Sequence, residues 1–313
     1  MLVVLLAGGH VITAAPTVDQ PPAGATMPRP PSGAATTGTG APAWAIWLST
    51  GVHLAGAALA IVLLVHRGWY RLDHVPRRTP AFELHAGPLL FIGMLVAGVA
   101  GASVPLPEMT NEVAAHALRI LAVYGGQGLV VATYLLMRGE RRRVASPTRT
   151  RPAVRTPLAV LTGVGACLLW WPLVVLASWL ALQVMRIGGE AATDPIAHQT
   201  LTLLNNSATD GWYVVLALAV CLGAPIVEEV MYRGIAQETL DRLTGRRWGS
   251  IVLVSAVFAV MHMEVARPDA IAGLFVLALG LGWVYERTGR LAASIAMHAA
   301  FNIGNLALAS LTT

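Results

Sequence analysis

The sequence contains no lysine: its 21 basic side chains are all arginine, and charged residues make up only 12% of 313. Aromatic residues are equally sparse at 6%, and there are two cysteines. A soluble nucleic-acid-binding surface needs a basic face interleaved with aromatics, and no stretch of the chain provides one, so nucleic acid is not an expected partner. Cys167 and Cys221 lie inside apolar runs without C-x-x-C spacing. That placement excludes a disulfide framework and a thiol motif, and both read as small packing residues. The Gly-x-Ser-x-Gly nucleophile motif and the H-E-x-x-H zinc helix are also missing.

What is abundant is apolar side chain, at 56% of residues with a mean hydropathy of +0.64. This is the composition of a polytopic membrane protein, in which the informative residues are polar ones at membrane depth. Runs of about 20 apolar residues, the length that spans a bilayer, fall at 44–65, 87–106, 116–137, 158–185, 212 to about 243, 248–263, 270–285 and 291–311. The expected fold is therefore all-α, a transmembrane bundle of about eight helices. Three divisions are expected: 1–42, a short apolar start followed by a Pro, Ala, Thr and Gly-rich tract; 43–157, three accessory helices with basic loops; and 158–313, a membrane core. The apolar start reads as a weak signal peptide, an uncleaved export-like start, or an upstream extension, and the tract has the composition of a disordered segment. In the second half of the fifth run, Glu238, Asp241 and Arg242 are expected to reach water.

Arginine clusters order the loops. Arg67, Arg71, Arg77 and Arg78 follow the first run, and seven arginines from Arg138 to Arg155 follow the third. Arg242, Arg246 and Arg247, and then Arg287 and Arg290, mark two later turns. The intervening loops carry Glu108 and Glu112, or Glu190, Asp194 and Asp210, without arginine. The positive-inside rule places the arginine clusters in the cytoplasm and both chain ends outside. Trp44, Trp47, Trp69, Trp212 and Trp248 sit near span ends, as interfacial anchors do.

Against this apolar background one stretch is out of place: Pro225-Ile-Val-Glu228-Glu229-Val-Met-Tyr-Arg233-Gly234. A charge at membrane depth costs from about 3 to more than 10 kcal/mol unless it is paired or solvated. Glu229 and Arg233 are four apart on one helix face and form a natural ion pair, whereas Glu228 points about 100° away. Two further polar pairs share a four-residue spacing: Phe258 with His262, and His298 with Asn302. At about 1.5 Å per residue, Glu228 and His262 lie roughly 21–22 Å from the arginine-rich ends of their helices, and His298 and Asn302 roughly 12–18 Å. One hydrated cavity at that depth serves all four better than separate burial in lipid.

Such a cavity suits water activation. A carboxylate shielded from bulk solvent can take a proton from water, with an imidazole to orient the same water. An amide and a second imidazole can donate to a developing oxyanion. Two histidines and a glutamate could instead hold a catalytic zinc with one open position, though the ligands would come from three helices.

The ordered set Glu228-Glu229-x-x-x-Arg233, Phe258-x-x-x-His262 and His298-x-x-x-Asn302 resembles the three motifs of the CPBP family, the CAAX prenyl proteases and bacteriocin-processing or Abi-type membrane proteins. Gly280-Leu281-Gly282 running into Thr288-Gly289 matches the family context, and Tyr232 stands where phenylalanine is common. The resemblance implies an intramembrane endopeptidase. Glu228 would be its general base and His262 the partner, with Glu229, Arg233 and Phe258 supporting and His298 with Asn302 binding water or the oxyanion. It implies no resident cofactor in the glutamate-type mechanism, which suits these residues better than the zinc-dependent form. The substrate would be a peptide or membrane-protein segment. An arginine-only cation set resembles a high-GC bacterial genome and a multi-pass protein of the inner membrane, where prenylated substrates are not expected. Rival readings are a non-catalytic binding or immunity protein of the same family, and a proton-coupled transporter, for which no paired broken-helix repeat is evident.

Overall fold

The computed structural model describes residues 43–73, 75, 82–107, 109–138, 155–188, 200, 203–204 and 210–311. The expectations for 1–42, for Arg77, Arg78, Glu108, Glu190 and Asp194, and for the arginines between 139 and 154 lie outside these residues. The described residues form eight helices and no strand. They are α1 (Ala43–His66), α2 (Ala86–Ala102), α3 (Glu112–Arg138), α4 (Thr156–Ile187), α5 (Tyr213–Thr244), α6 (Arg247–Val260), α7 (Pro268–Thr288) and α8 (Leu291–Leu311). Backbone groups in a bilayer must bond within their own segment, which is why long apolar runs become helices. Five of them, α3, α4, α5, α7 and α8, are long and apolar enough to cross a membrane. The described apolar part of α1 (Gly51–His66), α2 and α6 are shorter.

Helix α4 is the central post, packing against α1, α7 and α8. Because lipid provides little hydrophobic drive between helices, close approach of backbones matters most. Gly163 of α4 shows this: a Cβ there would lie 2.1 Å from the Ala293 carbonyl oxygen of α8. Gly101 of α2 likewise admits the Ala122 backbone of α3, where a Cβ would stand 2.5 Å from its carbonyl oxygen. Trp170 stacks on Trp283 at 5.0 Å and donates through Nε1 to Val276 O of α7. Pro172 lies inside α4, and Gly56 of α1 leaves room for its ring.

The described connections sort onto two faces. On one face, the segment after α1 is held by donors from the C-terminal helices: Arg247 Nη1 to Leu72 O (2.6 Å), Trp248 Nε1 to Tyr70 O (2.8 Å) and Trp283 Nε1 to Trp69 O (2.8 Å). Arg242 Nη1 reaches Phe82 O at 2.8 Å on the same face. On the other face, Arg119 donates to Ala102 O and Val104 O, and Asn111 donates to Asp210 at 2.8 Å.

One expectation is corrected at the arginine-rich end. Glu238 and Asp241 do not reach water; they are 7% and 8% exposed. The end of α5 is roofed by the connection to α2 and by α7, whose Tyr285 hydroxyl donates to Glu238 at 3.5 Å. Neighbouring Gln237 donates to Glu286 at 3.0 Å, so this end of the bundle carries a buried polar network.

Candidate active site

Helix α5 is not a regular α-helix. Residues Ala219–Gly223 and Val230–Gln237 are π-helical, and the α-helical turn between them, Ala224–Glu229, carries both acids. The first π stretch has a sequence cause. In π register the Ala224 N–H bonds to Ala219 O, and the next bond would run from residue 225 to Val220 O. Residue 225 is proline, which has no N–H to give. The orphaned Val220 carbonyl is taken by Asn302 of α8, whose Nδ2 donates to it at 2.9 Å. The chain break in hydrogen bonding and the amide that mends it are thus on two different helices, and together they lock α8 beside the acids.

Glu229 is fully buried and Arg233 is 1% exposed. Arg233 Nη1 donates to Glu229 Oε1 at 2.8 Å, the ion pair the spacing predicts. The same oxygen receives His298 Nδ1 at 2.9 Å. His298 therefore leans on the supporting acid, and because a carboxylate accepts, Nδ1 is the nitrogen that carries the hydrogen in this contact. His262 is set in the same way: its Nδ1 lies 2.6 Å from Phe258 O, a carbonyl that can only accept, so Nδ1 carries the hydrogen in this contact.

His262 does not sit on α6 as the four-residue spacing suggested. The helix ends at Val260, and His262 lies in the following turn with its N–H bonded to Ala259 O. It still stacks on Phe258 with centroids 4.4 Å apart. Phe258, fully buried, is the hub of the site. The Arg233 guanidinium lies 4.9 Å from its ring centre, His298 meets its edge at 5.9 Å and Tyr232 at 5.1 Å.

A cavity of about 390 Å³ opens beside these groups, and Glu228, His262, His298, Asn302 and Phe258 all line it. Glu229 and Arg233 stand behind the wall. Glu228 is 6% exposed and within electrostatic reach of both histidines and Arg233. Its other neighbour is Tyr124 of α3, a cavity residue within electrostatic reach of Glu228. Tyr124 packs on the π turn, 3.8 Å from where a Gly223 Cβ would be. Sequence reasoning missed Tyr124: a single tyrosine in an accessory apolar helix has no partner at helical spacing, and no local signal marks it. The cavity walls from α4 and α7, including Ser178 and Asp269, were equally silent.

Among the described residues, no three His, Cys, Asp or Glu side chains are grouped to hold a metal ion. Cys167 and Cys221 are buried and free.

Residues 210–304 match the family model described as type II CAAX prenyl endopeptidase Rce1-like. The chain is Rce1-like over this stretch. That segment runs from Asp210, before α5, into α8, and it contains Glu228, Glu229, Arg233, Phe258, His262, His298 and Asn302. The similarity is to a family of prenyl endopeptidases and covers this stretch alone, within a chain that has five helices long and apolar enough to cross a membrane. Tyr124 and the α4 wall come from outside the Rce1-like segment. No curated protein and no solved structure matches the chain.

Proposed function

We propose that the protein is a glutamate-type intramembrane endopeptidase of a bacterial inner membrane, hydrolysing a peptide bond by activated water without a covalent intermediate or a resident metal. The observation that supports this reading most is the shared cavity: a buried carboxylate, two imidazoles whose Nδ1 atoms are tied to other partners and an amide line one space of substrate size.

In this reading Glu228 is the general base. Water held by Glu228 and His262 loses a proton to Glu228 as its oxygen attacks the scissile carbonyl carbon. The C–O bond forms, negative charge moves to the carbonyl oxygen, and the second amide N–H of Asn302 and the Tyr124 hydroxyl are the donors that steady it. Collapse breaks the C–N bond, and the proton held by Glu228 passes to the leaving amine. His298 Nε2 orients water while Glu229 fixes its ring, in the manner of a carboxylate that sets an imidazole tautomer. Arg233 anchors Glu229 through its 2.8 Å contact and lies against the Phe258 ring.

The test is hydrolysis of a peptide library, read by mass spectrometry, by the purified chain in proteoliposomes. The wild type is expected to cut members that Glu228→Gln and His262→Ala leave intact, and chelators are expected to leave the rate unchanged. Equal cleavage by the variants would overturn the assignment, and loss of activity to chelator with recovery on added zinc would move it to the metallo type.

A further inference from the structure

The cavity is chemically two-sided. Its inner acid, its imidazoles and the Asn302 amide are carried by α5, α8 and the turn after α6. Helix α4 lines the same space with Trp171, Val174, Val175, Ser178, Trp179 and Leu182. These positions recur at three- and four-residue intervals, so they form a stripe along one helix face. The stripe holds five apolar side chains, one hydroxyl and no charge. All of it lies outside residues 210–304, the stretch that carries the acids, the histidines and the amide.

One member of the stripe is braced from several sides. Trp171 meets Phe301 of α8 with ring centroids 5.2 Å apart and planes inclined at 51°. Its six-membered ring also reaches Gly304, where a Cβ would stand 2.9 Å from Cη2 and Cζ3. Phe301 and Gly304 flank Asn302 in sequence, so the indole rests on the turn of α8 that supplies the amide. The neighbours of Trp171 on α4 are held as well. Pro172 lies against Gly56 of α1, where a Cβ would be 3.0 Å from its ring, and Trp170 stacks on Trp283 of α7. With α1, α7 and α8 all gripping this turn, the indole has little room to withdraw. The cavity itself, at about 390 Å³, is near the small end of the range for ligand pockets, about 300–1,000 Å³. It must hold the backbone at the bond being cut as well as the side chains beside it, so space against α4 is scarce.

We infer that Trp171 is a specificity-determining residue of the site: its indole limits the size of the apolar substrate side chain that lies against α4 beside the scissile bond. The scissile bond rests on the proposed endopeptidase reading, whereas the shape of the wall is independent of it. A side chain as small as that of Val is accepted beside the indole, and one as large as that of Trp competes with it for the same volume. The uncharged stripe gives a charged side chain no partner. Asp269, which lines the cavity from α7, is already matched by Arg267 through contacts of 3.0 and 2.9 Å.

The test gives the full chain in proteoliposomes a set of capped Ala/Leu peptides with Val or Trp at one position, and reads the ratio of cleavage of each Val peptide to its Trp counterpart. The wild type is expected to favour Val beside the cut. Trp171→Ala is expected to lower that ratio about 10- to 200-fold, and Trp171→Phe to lower it less. Leu180→Ala, half a turn from Trp171 on α4 and 50% exposed, is expected to leave it unchanged. General damage to the fold slows both peptides alike, so an unchanged ratio in Trp171→Ala overturns the inference. Trp171→Leu replaces the alanine variant should that one fail to fold. The same peptides are titrated by calorimetry into Glu228→Gln with and without Trp171→Ala. If no form of the protein cuts any peptide, the endopeptidase reading falls and binding decides on the wall: a Val preference that shrinks when the indole is removed supports it, and an unchanged preference or no binding overturns it.

Discussion

At the scale of single residues, the two adjacent acids divide the work. Glu229 is enclosed by Arg233 and His298 and touches no open space, whereas Glu228 lines the cavity. Removing Glu229 alone should therefore act through stability. Glu229→Leu leaves Arg233 buried without its counter-ion, and thermal unfolding in detergent should show a loss of about 3–5 kcal/mol. Replacing the pair together, Glu229→Leu with Arg233→Met, should recover much of it, because breaking a buried pair costs more than removing it. The Glu229–Arg233 pairing could be read from spacing alone, since four residues is one helical turn. His298 could not be assigned to Glu229 from sequence: both acids lie at compatible depth, and only the packing of α8 decides which one the ring meets. Tyr124 was beyond reach for the same reason, being brought to Glu228 by the contact of α3 with the π turn of α5.

At the scale of the helix, α5 is broken at Pro225 and mended by Asn302. Asn302→Leu should orphan the buried Val220 carbonyl and cost about 1–3 kcal/mol in an unfolding measurement. Pro225→Ala supplies an N–H that competes for the same carbonyl, so Asn302→Leu should cost less in that background. A double-mutant cycle should return a coupling of about 0.5–3 kcal/mol, and additive effects would show that proline and amide act separately. The eight apolar runs were legible because lipid forces each into a helix, and their ends agree with the structure to within a few residues. The π segments were not, since hydropathy carries no information on whether a carbonyl bonds four or five residues ahead. For a similar reason the spacing of Phe258 and His262 suggested one continuous helix, although the helix stops at Val260 and the ring contact survives in the turn.

At the scale of the molecule, the accessory helices are part of the site and of its closure. Helix α3 brings Tyr124 to the cavity, and the segment after α1 covers the arginine-rich end. The post on which these parts assemble is α4, and its approach to α8 depends on Gly163. Gly163→Ala places a carbon against a backbone oxygen that cannot rotate away, so the helices must part; a loss of about 1–3 kcal/mol is expected in the same unfolding measurement. The arginine pattern grouped the segment after α1 with the turns after α5 and α7, and the hydrogen bonds among these described segments agree; the arginines between 139 and 154 lie outside the described residues. The count of about 1.5 Å per residue from the arginine-rich ends already set Glu228 and His262 towards the opposite face. In the proposed mechanism Glu228 is the base that activates water. The most direct test of that role is the rate at which Glu228→Gln, reconstituted and shown to unfold at the wild-type temperature, cleaves a peptide that the wild type cleaves: a loss of roughly 100- to 10,000-fold is expected, and a rate equal to wild type would contradict it.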